Sequence, residues 1–242
     1  MWVQKTLGRR AILRGVSTLD VWRIRVAQQA LRFSEHWQCL AASEREQALS
    51  YHHAADRDRF VAARATLRQL LCRRLDLDPT QVAFVVNEFG KPRLAPPHSL
   101  HFNTSHAGDW VLHAFSTSSA VGVDVEPIPT DALPIEDYDD VLAPRELREL
   151  LSLSTAQRGR AFTTLWVCKE AYVKAWGQGL NRSLREICIG PCVDGKVGVL
   201  HDSNPGGVAS EWQLAMLDVG PDHAACVACS APAPPLRIFD FQ

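Results

Sequence analysis

Between Arg59 and Leu75 the apolar residues Phe60, Ala63, Leu67, Leu70, Leu71 and Leu75 recur at helical spacing, with Arg57, Arg64 and Arg68 together on the opposite side. Pro79 closes this element. "QVAFVV" then reads as a strand entering the turn "EFGKP", and "WVLHAFS" and "AVGVDVE" read as two further short strands joined hairpin-fashion through "STSS". A proline-bearing loop, "PIPTDALP", leads to a helix that opens at Pro144 and carries Leu147, Leu150 and Leu151 as its apolar stripe. The most distinct element is a helix from about Ala156 to Trp176, with Phe162, Leu165, Trp166, Val173 and Trp176 facing inward and Gly177 and Gly179 stopping it. "ICIG", "WQLAMLDV", "AACVACS" and "LRIFDF" complete the pattern as strands. Helices alternate with clusters of short strands, which predicts an α+β fold in two similar-sized α/β halves. Their boundary is placed in the Ser/Thr stretch, giving residues 1–118 and 119–242.

Composition narrows this picture. The chain has 242 residues, 46% hydrophobic and 22% charged, enough apolar content for a packed core. No run of eighteen apolar residues exists, so no membrane span is expected, and Arg14 interrupts any signal-peptide apolar region; a cytoplasmic protein is the expectation. Net charge is −1, which gives no reason to expect a nucleic-acid partner. The charge is uneven, however. Lys5, Arg9, Arg10, Arg14, Arg23, Arg25 and Arg32 face only Asp20 in the first thirty-odd residues, and Asp131, Glu136, Asp137, Asp139 and Asp140 form an acidic stretch. Such runs are either solvated surface or a docking face for a partner of opposite charge. Seven cysteines suggest no disulfide framework. Cys226 and Cys229 form a C-x-x-C, but without histidines at finger spacing they read as small hydrophobes in a buried strand rather than zinc ligands.

Three segments carry chemistry. In "VGVDVEP" strand alternation puts Asp124 and Glu126 on one face, about 7 Å apart, and Val121, Val123 and Val125 on the other. Two carboxylates beside a proline break suit a hard cation, or else an edge strand showing acids to water. In "LWVCKEAYVKAWGQG", Glu170 and Lys174 lie one turn apart on a helix, with Lys169 about 100° round toward the apolar stripe. Such a pair is either a surface salt bridge or part of an anion site. In "FNTSHAGDW", Ser105 and His106 point to opposite sides of an extended chain, so they fit phosphate donors better than a nucleophile and its base. Lys91 in "FGKPRL" offers another phosphate partner, and no Walker-type loop is present.

In this order and at these intervals, "GKP", "FNTSH", "GVDVE" and "WVCKEAYVKAWGQGL" resemble the 4'-phosphopantetheinyl transferase family, in particular its longer, surfactin-synthetase-activating type. The resemblance runs from about Tyr51 to Gly190, and "FVAARATLRQLL" is similar to the family's arginine-bearing helix. It implies two halves related by a pseudo-two-fold axis, with the active site at their interface. It implies that Asp124, Glu126 and Glu170 bind Mg²⁺ with the coenzyme A diphosphate, and that Lys169 and Lys174 sit at the phosphates. Lys91, Ser105 and His106, with Arg59 or Arg64, would contact the diphosphate and the ribose 3'-phosphate. Where some relatives carry further basic residues, this chain has Glu44, Arg45 and Gln47. The implied substrates are coenzyme A and an apo acyl or peptidyl carrier protein, handled by a monomer, with Glu170 as base, Asp124 on the metal and Lys174 stabilising charge. A non-catalytic coenzyme A binder and a metal-dependent phosphohydrolase remain as rivals. Presence of all three acids and both lysines speaks against a decayed binder.

Overall fold

The computed structural model describes residues 17–131, 136–177, 182–191 and 197–242, with residues 136 and 137 as backbone alone. Lys5, Arg9, Arg10, Arg14, Gly179 and Cys192 lie outside the described residues. In chain order the elements are β1 (Leu19–Arg25), α1 (Val26–Gln29), α2 (Phe33–Cys39), α3 (Ala42–Leu49), α4 (Ala54–Leu75), β2 (Phe84–Val86), β3 (Pro92–Leu94), β4 (His101–Ala107), β5 (Trp110–Ser116) and β6 (Val121–Pro127). They continue with α5 (Glu136–Asp139), α6 (Pro144–Leu151), α7 (Thr155–Trp176), β7 (Ile187–Pro191), β8 (Val197–Asp202), β9 (Trp212–Met216), β10 (His223–Ser230) and β11 (Leu236–Asp240). The fold is mixed α+β.

Two sheets carry the architecture, one ordered β11-β1-β5-β4 and one ordered β6-β10-β9. Period-two alternation decides how they stack. Leu19 and Val21 of β1, Leu112 and Ala114 of β5, Val121, Val123 and Val125 of β6 and Ala225 and Val227 of β10 form one core between the sheets. The other face of the first sheet, with Ile24, Val111 and Phe115, packs on Leu67, Leu70 and Leu71 of α4. The other face of the second, with Ala224, Cys226 and Ala228, packs on Val167, Cys168, Ala171 and Tyr172 of α7. The result is four layers, helix–sheet–sheet–helix.

One expectation is corrected by this stacking. β5 and β6 do not form a hairpin: β5 pairs with β1 and β4, whereas β6 pairs with β10. Their apolar faces meet across the layers instead, in the core between the sheets. The last strand also crosses back, because β11 pairs in parallel with β1. Residues 236–240 therefore lie in the same sheet as β1, β5 and β4. α4 ends at Leu75 with Asp76 in the left-handed region (φ 56°), before Pro79, which opens a short 3-10 turn. α7 ends as expected at Gly177, at φ 76°.

Gly122 sets the distance between α7 and β6. A Cβ there would stand 2.0 Å from the Ala171 carbonyl oxygen and 2.4 Å from the Ala175 nitrogen, both backbone atoms. Only glycine lets the helix settle this close. Gly122→Ala is expected to destabilise the protein by roughly 1–3 kcal/mol, the range for overpacking, and to lower Tm by about 3–10 °C. Calorimetry that found Tm unchanged would show that α7 can lift without cost.

Candidate functional site

The close approach of α7 brings Glu170 and Lys174 beside the polar face of β6. Asp124 is 1% exposed. Its Oδ1 accepts hydrogen bonds from Ser105 Oγ at 2.8 Å and from Lys174 Nζ at 2.5 Å. Its Oδ2 is equally buried and meets no donor in the protein. Glu126, two residues on at the Pro127 break, is only half-buried. Strand alternation thus holds, with the three valines buried on the opposite face.

The acids feel one another. Burial first, and then the Asp124 and Glu170 charges, push the Glu126 carboxyl up to about 7, against the opposing pull of Lys174. Burial also raises Glu170, with Asp124 adding to the shift and Lys174 opposing it. Lys174 therefore pairs with Asp124 on the neighbouring strand, and the simple surface pair with Glu170 is not what forms. Among the described residues no three Asp, Glu, His or Cys side chains are already gathered as a ligand set. A hard divalent cation nevertheless fits the residues present. The donors are carboxylate oxygens, and one of them is buried with nothing to satisfy it.

Glu126 should make the metal-free protein sensitive to pH. Its folded pKa lies above its ordinary 4.5, so the native state keeps a proton that the unfolded chain releases. Stability should then fall as pH rises from about 4.5 to 7. Glu126→Gln should flatten that decline and add about 1–2 kcal/mol at pH 8, after allowance for solvent screening. Urea titrations in EDTA at pH 5 and pH 8 read this directly, and parallel pH slopes for the two proteins would refute it.

Beside these acids lies a cleft of about 420 Å³ lined by Gln47 and Tyr51, by Phe60, Ala63, Arg64 and Leu67 of α4, by Ser105 and His106 of β4, and by Glu126 and Lys174. Burial lowers the His106 pKa, and the charges of Arg59, Lys174 and Arg64 lower it further. Arg64 and Lys174 on its walls suit the cleft to an anion.

Other expected phosphate contacts stand elsewhere. Lys169 is fully buried. Its ammonium donates to the carbonyls of Val141, Leu184 and Ile187 at 2.8, 2.8 and 2.6 Å and pairs with Glu146 at 2.6 Å. It cannot reach a phosphate, because a buried ammonium must be fully satisfied internally and this one is. Lys91 donates to the carbonyls of Val121 and Ala175, both at 3.1 Å, and burial lowers its pKa to about 8. It lines a separate cavity with Asn87, His98, His101 and Trp176. Arg59 pairs with Asp56 and donates to the Gly108 carbonyl at 3.2 Å, lining a third cavity with Arg57 and Asp109.

Upstream, Glu44 is buried against Arg68 at 2.7 Å and Arg45 donates to the Trp37 and Gln38 carbonyls. Gln47 is the residue of α3 that lines the cleft. The described basic residues of the first segment are engaged internally, Arg23 with Asp240, Arg25 with Asp109 and Arg32 with Glu35. Cys226 and Cys229 face different cores, as alternation over three residues requires, so they share no ligand site. No helix among the described residues is long and apolar enough to cross a membrane.

Sequence reasoning missed the Asn103 contact, in which the side-chain oxygen accepts from the Val123 amide at 2.8 Å and locks β4 to β6. The only available signal was its place two residues before Ser105, on the same strand face.

Comparison with known proteins agrees with this site. Residues 26–118 match a family described as 4'-phosphopantetheinyl transferase, N-terminal, and residues 120–228 match the 4'-phosphopantetheinyl transferase superfamily. The 4'-phosphopantetheinyl transferase HetI of Nostoc sp. is 31% identical over 222 residues, 89% of this chain and 87% of that protein. Psf-1 of Bacillus pumilus, a 4'-phosphopantetheinyl transferase, is 34% identical over 198 residues, 78% of this chain and 82% of its own. Sfp of Bacillus subtilis, named for the same activity, is 28% identical over 190 residues, 78% and 82% of the two chains. With both halves matched and the acids of β6 and α7 brought together, the chain belongs to the 4'-phosphopantetheinyl transferase family.

Proposed function

We propose that this protein moves the 4'-phosphopantetheine arm of coenzyme A onto a serine of an apo acyl or peptidyl carrier protein, releasing 3',5'-adenosine bisphosphate. The observation that supports this most is Asp124, buried with one oxygen unsatisfied, between Glu126, Glu170 and Lys174 and beside a cation-lined cleft. The cleft draws Phe60, Arg64 and His106 from the first half and Glu126 and Lys174 from the second. Each half also lays a 22-residue helix on the outer face of its sheet, which supports a two-fold relation between halves with the site between them.

In this reading Asp124, Glu126 and Glu170 hold Mg²⁺, which when bound offsets negative charge on the coenzyme A diphosphate. Arg64, His106 and Lys174 face the phosphates. The carrier serine oxygen forms a bond to the β-phosphorus while the bridging P–O bond breaks, and the electron pair leaves on adenosine bisphosphate. The serine proton passes to Glu170, directly or through a water; burial raises this carboxyl above its ordinary value, which makes it the stronger base. Lys174 stabilises the charge that develops between the phosphates.

Incubation with coenzyme A and an apo carrier protein tests the whole reading by mass spectrometry. A gain of one arm on the carrier serine supports transfer; free phosphopantetheine would indicate hydrolysis, and no change would leave a binder. Lys174→Ala should lower kcat at least tenfold, roughly 1.4 kcal/mol, with little change in coenzyme A affinity. A raised KM with unchanged kcat would assign Lys174 to binding alone.

A further inference from the structure

Across the second sheet Asp124, Cys226 and Met216 stand in one row, since Cys226 pairs in register with Asp124 on one side and Met216 on the other. Directly paired residues share a face of the sheet. This face packs on α7, with Cys226 and Leu214 in the core beneath that helix. From α7, Cys168 reaches the sulfur end of the row. Its thiol donates to Met216 Sδ at 3.5 Å and is hydrogen-bonded to the Cys226 thiol as well. Both cysteines are free thiols and fully buried, whereas Met216 is 39% exposed, so the cluster meets solvent at the thioether. Three elements, α7, β10 and β9, thus converge three sulfur atoms that the transferase reading does not use.

We propose that Cys168, Cys226 and Met216 form a binding site for one Cu(I) ion. A buried cysteine by itself is a small hydrophobe, but two thiols and a thioether in mutual contact are a donor set. Soft thiolate and thioether ligands select Cu(I), whereas the carboxylates at the other end of the row suit a hard cation such as Mg²⁺. The geometry allows it. With metal–sulfur bonds of about 2.3 Å, three sulfurs around one ion stand about 4 Å apart, so the 3.5 Å contact has to open by only about half an ångström. The ion takes the place of the thiol protons, which leave to solvent. Cys229 plays no part, because it faces the core between the sheets.

The probe is Cu(I) itself, presented anaerobically as its coloured bicinchoninate complex with ascorbate as reductant. Loss of colour measures how much copper the protein removes. Other thiols of the chain take copper alike in every protein compared, so the difference between proteins is the readout. The wild type should remove one more equivalent than Cys168→Ala or Cys226→Ala. Met216→Leu keeps an apolar side chain of similar size at a part-exposed position, and should weaken the tightest site about tenfold or more with Tm unchanged. This variant keeps the test decisive if either alanine protein folds poorly. Excess Mg²⁺ should leave the bound copper in place. Equal uptake and affinity in the wild type and Met216→Leu would overturn the inference, and so would displacement of the copper by Mg²⁺, which would put the ion on the carboxylates.

Discussion

Asp124→Asn should reduce kcat/KM for transfer at least a thousandfold, a loss of about 4 kcal/mol of transition-state stabilisation. The substitution keeps the shape of the side chain and an acceptor for Ser105, but removes the charge from a buried carboxylate whose Oδ2 meets no donor. Water cannot take its place at a position 1% exposed. Glu126 is half-buried at the strand end, so a water molecule can replace its carboxylate, and Glu126→Gln should cost only about ten- to fiftyfold, or ~1.4–2.3 kcal/mol. Steady-state kinetics on the two variants, with circular dichroism to confirm folding, measures the ranking. Equal losses would mean that accessibility does not govern the two acids.

The second large effect concerns Lys169 and Glu146. Glu146 is 1% exposed, pairs with the Lys169 ammonium, and also accepts hydrogen bonds from the Ala143 and Ile189 amides at 2.7 and 2.6 Å. It thereby ties α6, α7 and β7 together. Glu146→Ala would leave a buried ammonium without its counter-charge and two amides without acceptors, and should destabilise the protein by roughly 3–5 kcal/mol. Lys169→Met separates structure from binding. It should lower Tm while leaving coenzyme A affinity within about threefold, because the ammonium contacts carbonyls and Glu146 rather than the cleft. A more than tenfold loss of coenzyme A affinity at unchanged Tm would put Lys169 at the phosphates after all.

The contrast between Lys169 and Lys174 shows where a linear reading stops. Both sit in one helical motif with Glu170, and spacing correctly turned Lys169 toward the apolar stripe. A lysine there must find an anion or be satisfied by other polar groups. Which of these happens depends on what packs over the stripe, and here Glu146 comes from a different helix, 23 residues earlier in the chain. The same holds for Arg59 and Arg64. They are five apart on α4, and Asp56 together with the Gly108 carbonyl of the β4–β5 turn draws Arg59 away from the cleft.

Local periodicity by itself determined a good deal: α4 with its inward stripe, α7 as a helix, the glycine stop at Gly177, the strands of "WVLHAFS" and "VGVDVEP", and the shared face of Asp124 and Glu126. These follow from side-chain direction along a helix or strand, a property of a few successive residues. Motif order likewise pointed to the family. The face α7 turns to its sheet is instead Val167, Cys168, Ala171 and Tyr172, with Leu165, Trp166 and Trp176 only partly buried. Tertiary structure alone decided that β5 and β6 separate into facing sheets, that β11 returns to pair with β1, and that Lys174 and Ser105 both donate to Asp124. Each of these is a contact between residues distant in sequence. Such contacts are chosen by which apolar faces can be buried together and which buried polar atoms can be satisfied, and no local pattern of residues encodes that balance.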